Sequence, residues 1–217
     1  MQTAKSPIRL LLLLLPMLLG SNLTLAQDRD SGGPPLDQPR IERVEKPWTA
    51  AQREILEPRE RNGQVLGVWS TCAQATELCN AWLGFTDYLL QDSTLPVRDR
   101  ELLIMRIGWL NGGAYEWAAH TGLARSVGIS DEELRRIMEG PDAAGWSAWD
   151  ATLLLAADEL HNNALVSDAT WNALAARYTQ RQLMEAVFTV GQYNLVAMYL
   201  NSLGVQFEEG FEGFPVP

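Results

Sequence analysis

Apolar positions recur at helical spacing along most of the chain, and no stretch alternates in the manner of a strand, so the pattern predicts an all-α protein. Thr49 can cap a short helix running to Leu56. A second apolar period covers Val65 to about Leu90, with a possible break near Thr76. Leu95-Pro96 then opens a strongly apolar helix, VRDRELLIMRIGWL, over 97–110, and Asn111-Gly112-Gly113 ends it. The next helix, AYEWAAHTGLARSV, stops at Gly128. Ser130 with Glu133 forms a capping box for a helix to about Met138, closed by Gly140-Pro141. Ser147 caps a helix to about Asn162, Ser167 or Asp168 caps one to about Tyr178, and Thr179 opens a last long helix that ends at Gly204.

These helices make one domain over 47–204. Before it, residues 27–46 are rich in Pro, Gly and charge and read as a flexible lead-in. After it, the tail 205–217 reads as loose or laid on a neighbouring subunit. A weak internal echo at an offset of 76, which aligns Gly128 with Gly204, Glu116 with Gln192 and His120 with Val196, raises the reading of a duplicated helical unit.

Residues 1–26 carry Lys5 and Arg9, then an apolar run from Leu10 to Leu19, then small residues at Thr24 and Ala26: the arrangement of a secretory signal peptide. The run is about half the roughly 20 residues a bilayer span needs. The expectation is therefore a periplasmic or secreted protein with no stable membrane anchor after signal cleavage. The full chain carries 17 basic against 27 acidic residues, a charge of −10, and losing Lys5 and Arg9 leaves 15 against 27, or −12. No basic stripe interrupts that balance, so a nucleic-acid partner is not expected.

Export would permit a disulfide between Cys72 and Cys79, which a cytosol would reduce. On one continuous helix their Cα atoms would lie about 10.5 Å apart, beyond bridging range. The spacing leaves open a local disulfide across a break at Thr76 and, without such a break, two buried thiols.

The chain has two histidines, and imidazole is the side chain best suited to proton transfer near neutral pH. His120 lies four residues after Glu116, so both stand on one helical face, where a carboxylate can orient an imidazole; the same spacing also suits an ordinary surface pair. Glu101 stands among Leu102, Leu103, Ile104 and Met105, either capping its helix or poised inside for proton transfer. His161 lies near a helix C-terminus, a favourable place for a cation. No motif of metal-ligand spacing occurs and no nucleotide-binding glycine loop, so neither a metal nor a nucleotide cofactor is expected. Gly191 is unusual in a helix interior and would permit a close approach, with Tyr193 placed to line a pocket.

The segment RDRELLIMRIGWLNGGAYEWAAHTGLARSVGIS resembles the carboxymuconolactone decarboxylase and alkylhydroperoxidase D-like superfamily, loosely from about Val65 to Gly204. The redox branch of that superfamily has the pattern Glu-x11-Cys-x2-Cys-x3-His, which falls here on Glu101, Gly113, Glu116 and His120. Both thiol positions are replaced, so the resemblance implies a protein that is not a thiol peroxidase. Glu116-WAA-His120 and Gly128-IS-DEE instead resemble the decarboxylase branch.

That branch implies a cofactor-free lyase or isomerase acting on a small lactone or unsaturated carboxylic acid. His120 would move the proton with Glu116 as its orienting partner and Glu101 nearby, Arg106 would hold a substrate carboxylate, and Trp117 and Tyr193 would line the pocket. The alternative is a catalytically silent exported binding or assembly protein on the same scaffold. Apolar surface carried on Trp69, Trp82, Trp109, Trp117, Trp146, Trp149 and Trp171, together with the family's habit of building sites near subunit contacts, implies a homo-oligomer.

Overall fold

Five helices begin where a hydroxyl can satisfy an otherwise orphaned backbone N–H. Thr49, Ser130, Ser147, Ser167 and Thr179 each accept a hydrogen bond from the amide three residues on, and they open α1 (Ala50–Leu56), α6 (Asp131–Glu139), α7 (Ala148–Asn163), α8 (Asp168–Ala175) and α9 (Gln180–Leu203). The other helices are α2 (Gly67–Cys72), α3 (Thr76–Asp87), α4 (Val97–Leu110) and α5 (Ala114–Ser126). The computed structural model describes residues 36–215, so the expected signal peptide and the first part of the lead-in lie outside the described residues. Among the described residues there is no β-sheet, and no helix is long and apolar enough to cross a membrane.

Helix α4 occupies the centre. Every residue from Asp99 to Gly108 is buried, and α5, α6, α7 and α9 pack around it. A helix enclosed on all sides must find partners for its charges. Asp99 accepts from the Tyr178 hydroxyl at 2.7 Å and from Trp149 Nε1 at 3.0 Å. Residues 88–92 form a π turn leading towards α4, and Glu185 of α9 pins the segment that follows by accepting from the hydroxyl and backbone N–H of Thr94.

The break between the cysteines is real, and it falls one residue earlier than expected. Ala73–Ala75 form a 3-10 turn and Ala75 leaves helical geometry at φ −124°, so α3 starts at Thr76 with no side-chain cap. The break brings the Cα atoms of Cys72 and Cys79 to 5.4 Å, and the two are disulfide-bonded. Their helices form a small second core with Ile55, Leu56 and Leu83.

The tail is neither loose nor laid elsewhere. Phe207 and Phe211 pack around Tyr115, and Phe214 lies against Trp109 and Trp117. Glu208 accepts hydrogen bonds from the Gly67 N–H and the Tyr115 hydroxyl. Aromatic residues three or four apart thus anchor a segment whose glycines and prolines suggest freedom. The tryptophan basis for assembly also changes, since of the seven named above only Trp171 is exposed, at 39%. The internal echo maps α5 onto the second half of α9, where the helix runs straight through the positions matching the bend before α5.

Candidate active site

The bend at Asn111-Gly112-Gly113 folds α5 back onto α4. Gly112 adopts φ +61°, which favours glycine, and the Gly113 N–H closes α4 by donating to the Gly108 carbonyl at 2.8 Å. Asn201 of α9 holds the bend by donating to the Asn111 carbonyl at 3.1 Å. The fold-back sets residues 19 positions apart face to face.

Glu101, fully buried on α4, is the hinge of the site. Its Oε1 accepts from Arg100 Nε at 3.1 Å and its Oε2 meets His120 Nδ1 of α5 at 2.8 Å. Arg100 is itself buried and anchored by donating to the Leu90 carbonyl at 2.7 Å. Against an ionised carboxylate, which only accepts, Nδ1 would carry the proton. In the neutral ring the Nε2 lone pair is then left to take a proton, and Nε2 makes no hydrogen bond among the described residues. The Tyr193 ring stands edge-on to the imidazole, with centroids 5.0 Å apart, and the His120 side chain keeps 14% of its surface exposed.

The expected division of labour between the two glutamates is reversed. Glu101, not Glu116, orients His120. The Glu116 side chain turns towards Gly108 and Gly113, where added Cβ atoms would stand 3.0 Å from its Oε1 and 3.5 Å from its Oε2. Both carboxyl oxygens are buried without a hydrogen-bond partner among the described residues. Burial, and then the charge of Glu101, raises the Glu116 carboxyl well above the ordinary carboxylate range. The shift favours the protonated carboxyl, the form able to donate. Burial likewise raises the Tyr193 phenol well above its ordinary value, reinforced by the charge of Glu101.

The structure brings together Glu101, Glu116, His120 and Tyr193 and leaves other expected site residues elsewhere. Arg106 makes a bidentate pair with Asp158 of α7, at 2.6 and 2.9 Å, and donates to the Ile137 and Met138 carbonyls at the end of α6. Those bonds tie its guanidinium to α6 and α7. Trp117, 1% exposed, is packed between Trp109 and Phe214 and makes its ring contacts with them, not with His120. His161 is exposed in the last turn of α7. Arg100 and Gly108 were not anticipated. The signals for them are an arginine within an apolar helix next to Glu101, and a glycine in the interior of that helix.

Residues 76–159 match the carboxymuconolactone decarboxylase family. No curated protein sequence matches the chain. Among solved structures, an uncharacterized peroxidase-related protein from Silicibacter sp. TM1040 is 18% identical, with a TM-score of 0.67 over 81% of this chain and 92% of that one. A peroxidase-related protein from Ralstonia eutropha JMP134, described as an alkylhydroperoxidase AhpD core, is 20% identical, with a TM-score of 0.66 over 78% and 93%. The debrominase Bmp8, solved in complex with 2,3,4-tribromopyrrole, is 13% identical, with a TM-score of 0.65 over 78% and 91%. These likenesses establish the all-helical alkylhydroperoxidase D-like fold.

Proposed function

We propose, from the premise that residues 76–159 belong to the carboxymuconolactone decarboxylase family, that the protein is an exported, cofactor-free enzyme moving a proton at carbon in a small lactone or unsaturated carboxylic acid. One observation supports this reading: the 2.8 Å contact between His120 Nδ1 and the buried Glu101, in which a proton on Nδ1 would leave Nε2 as the base.

In an isomerisation, Nε2 takes a proton from the carbon next to the carbonyl, and the bond's electron pair passes into the conjugated system as a dienolate. The imidazolium, stabilised by Glu101, returns that proton at the far carbon. In a decarboxylation, the dienolate forms when the bond to the carboxylate breaks and carbon dioxide leaves; the imidazolium then protonates it, and water restores the proton. Neutral Glu116 and the Tyr193 phenol are donors available to the developing oxyanion.

A silent binding module would have no use for an oriented imidazole beside an unpartnered buried acid, and this favours the enzyme. Gly113 and Glu116 stand where the redox branch carries thiols, so the reading includes no thiol chemistry. The Cys72–Cys79 disulfide supports an oxidising compartment. The test is to incubate purified protein with a panel of lactones and dienoic acids and follow each starting material by mass. Consumption of at least one member is expected; a panel untouched by folded protein contradicts the reading.

A further inference from the structure

Helix α9 carries an apolar surface that the described residues leave uncovered. Its outward positions fall at 184, 188, 191, 195 and 198, alternating steps of four and three, the spacing of a two-helix seam. They are occupied by Met184, Phe188, Gly191, Leu195 and Met198, and the four large side chains are 59, 51, 48 and 59% exposed. From Ala186 to Leu203 the helix has no charged residue, in a chain that is 20% charged. Phe85 of α3 stands edge-on to Phe188 at 5.8 Å and extends the patch sideways.

We infer that this face pairs with the same face of a second copy, with the two α9 helices antiparallel across a two-fold axis at Gly191. The register of the seam is the argument for that occupant. Met184 lies seven residues before Gly191 and Met198 seven after it, while Phe188 lies three before and Leu195 four after. Antiparallel pairing about Gly191 therefore sets Met184 against Met198 of the other copy and brings Phe188 within one position of Leu195, an isologous arrangement that a second copy offers.

Gly191 supplies a second, independent argument. A Cβ there would meet nothing within 4 Å, so nothing among the described residues requires glycine, although glycine in a helix interior costs about 1 kcal/mol against alanine. At the crossing point of two helices, the missing side chain lets the backbones approach. Gly84, beside Phe85 on α3, is equally open.

Charge favours the same occupant. Two copies of a chain with charge −10 repel one another, and a seam without charges is where that repulsion is weakest. A membrane-binding helix would instead carry Lys and Arg along its polar edge, whereas Arg181 is the only cation on α9. The exposed side chains present on the order of 500 Å² of apolar surface, against the ~800 Å² per partner of a standard interface once a polar rim is added. The opposite face of α9 turns Tyr193 towards His120, so pairing would also steady one wall of the candidate site.

Light scattering and cysteine cross-linking of the full chain test the inference. The wild-type protein should be a dimer, and Leu195→Glu, at an exposed position, should leave the helical circular dichroism intact while weakening dimerisation at least about 100-fold by burying a charge in the seam. A double variant carrying Met184→Cys and Met198→Cys should cross-link into dimers on mild oxidation. Each single variant should not, because like positions lie about 21 Å apart in the antiparallel pair. A monomer, a dimer indifferent to Leu195→Glu, ready cross-linking of a single variant, or a monomer that sediments with phosphatidylglycerol vesicles would each overturn the inference.

Discussion

Glu101 Oε2 lies 2.8 Å from His120 Nδ1 across the α4–α5 fold-back, so the buried carboxylate engages one ring nitrogen and leaves the other, Nε2, outside the pair. The carboxylate is itself fixed by Arg100, so the imidazole is held by a chain of two buried residues on the central helix. Such an arrangement is pre-organised before any substrate arrives.

Replacing Glu101 should therefore damage catalysis through His120. Glu101→Gln keeps an oxygen able to accept from Nδ1 but removes the charge that stabilises imidazolium, and about a 10²-fold loss of turnover is expected. Glu101→Ala should also destabilise the fold by about 3–5 kcal/mol, because it strands the Arg100 guanidinium in the core. Thermal denaturation alongside steady-state rates separates the two effects.

Glu116 should contribute to stability with the opposite sign from a salt-bridged acid. Its folded pKa is raised, first by burial and then by Glu101, so between the unfolded and folded values the native state binds a proton that the unfolded state has lost. Stability then falls as pH rises from the ordinary carboxylate range, near 4.5, towards the folded value. Glu116→Gln, which cannot ionise, should raise the melting temperature at neutral pH, with the gain shrinking as pH falls towards about 4, where the carboxyl is protonated in both states. Melting curves across that range read the effect directly.

The helix boundaries were largely legible in the sequence because Thr and Ser caps carry a local signal that tertiary packing leaves intact. Thr49, Ser130, Ser147 and Thr179 cap the helices expected of them. Part of the site was legible too, since scarce histidines pointed to His120. The pairing was not. Spacing along one helix shows that Glu116 and His120 share a face, but only the fold-back at Asn111–Gly113 brings Glu101 within reach, and only the empty space at Gly108 draws Glu116 away. The pairing of Arg106 with Asp158 was hidden for a related reason, because the two are 52 positions apart.

Arg106→Ala should lower stability by about 3–5 kcal/mol, leaving Asp158 and the last carbonyls of α6 without their donor. Folded variant protein should keep an unchanged KM. A large rise in KM with normal stability would return Arg106 to substrate binding.

The disulfide should act as a structural staple. Opening it with Cys72→Ser and Cys79→Ser should cost roughly 2–3 kcal/mol for a loop of this size. The wild-type protein should show no peroxide-dependent turnover, which a coupled peroxidase assay checks, and activity that disappears with the cysteine pair would relocate the chemistry to α2 and α3.

The central claim, proton transfer at carbon by His120, is tested most directly by running the reaction of an identified substrate in deuterium oxide and comparing wild type with His120→Ala by product mass and rate. The wild-type product of a decarboxylation should gain deuterium at carbon, and in either reaction folded His120→Ala should turn over about 10²–10⁴-fold more slowly. Wild-type rates in the folded His120→Ala variant, or wild-type product free of carbon-bound deuterium from a reaction that ends in carbon protonation by solvent, would contradict it.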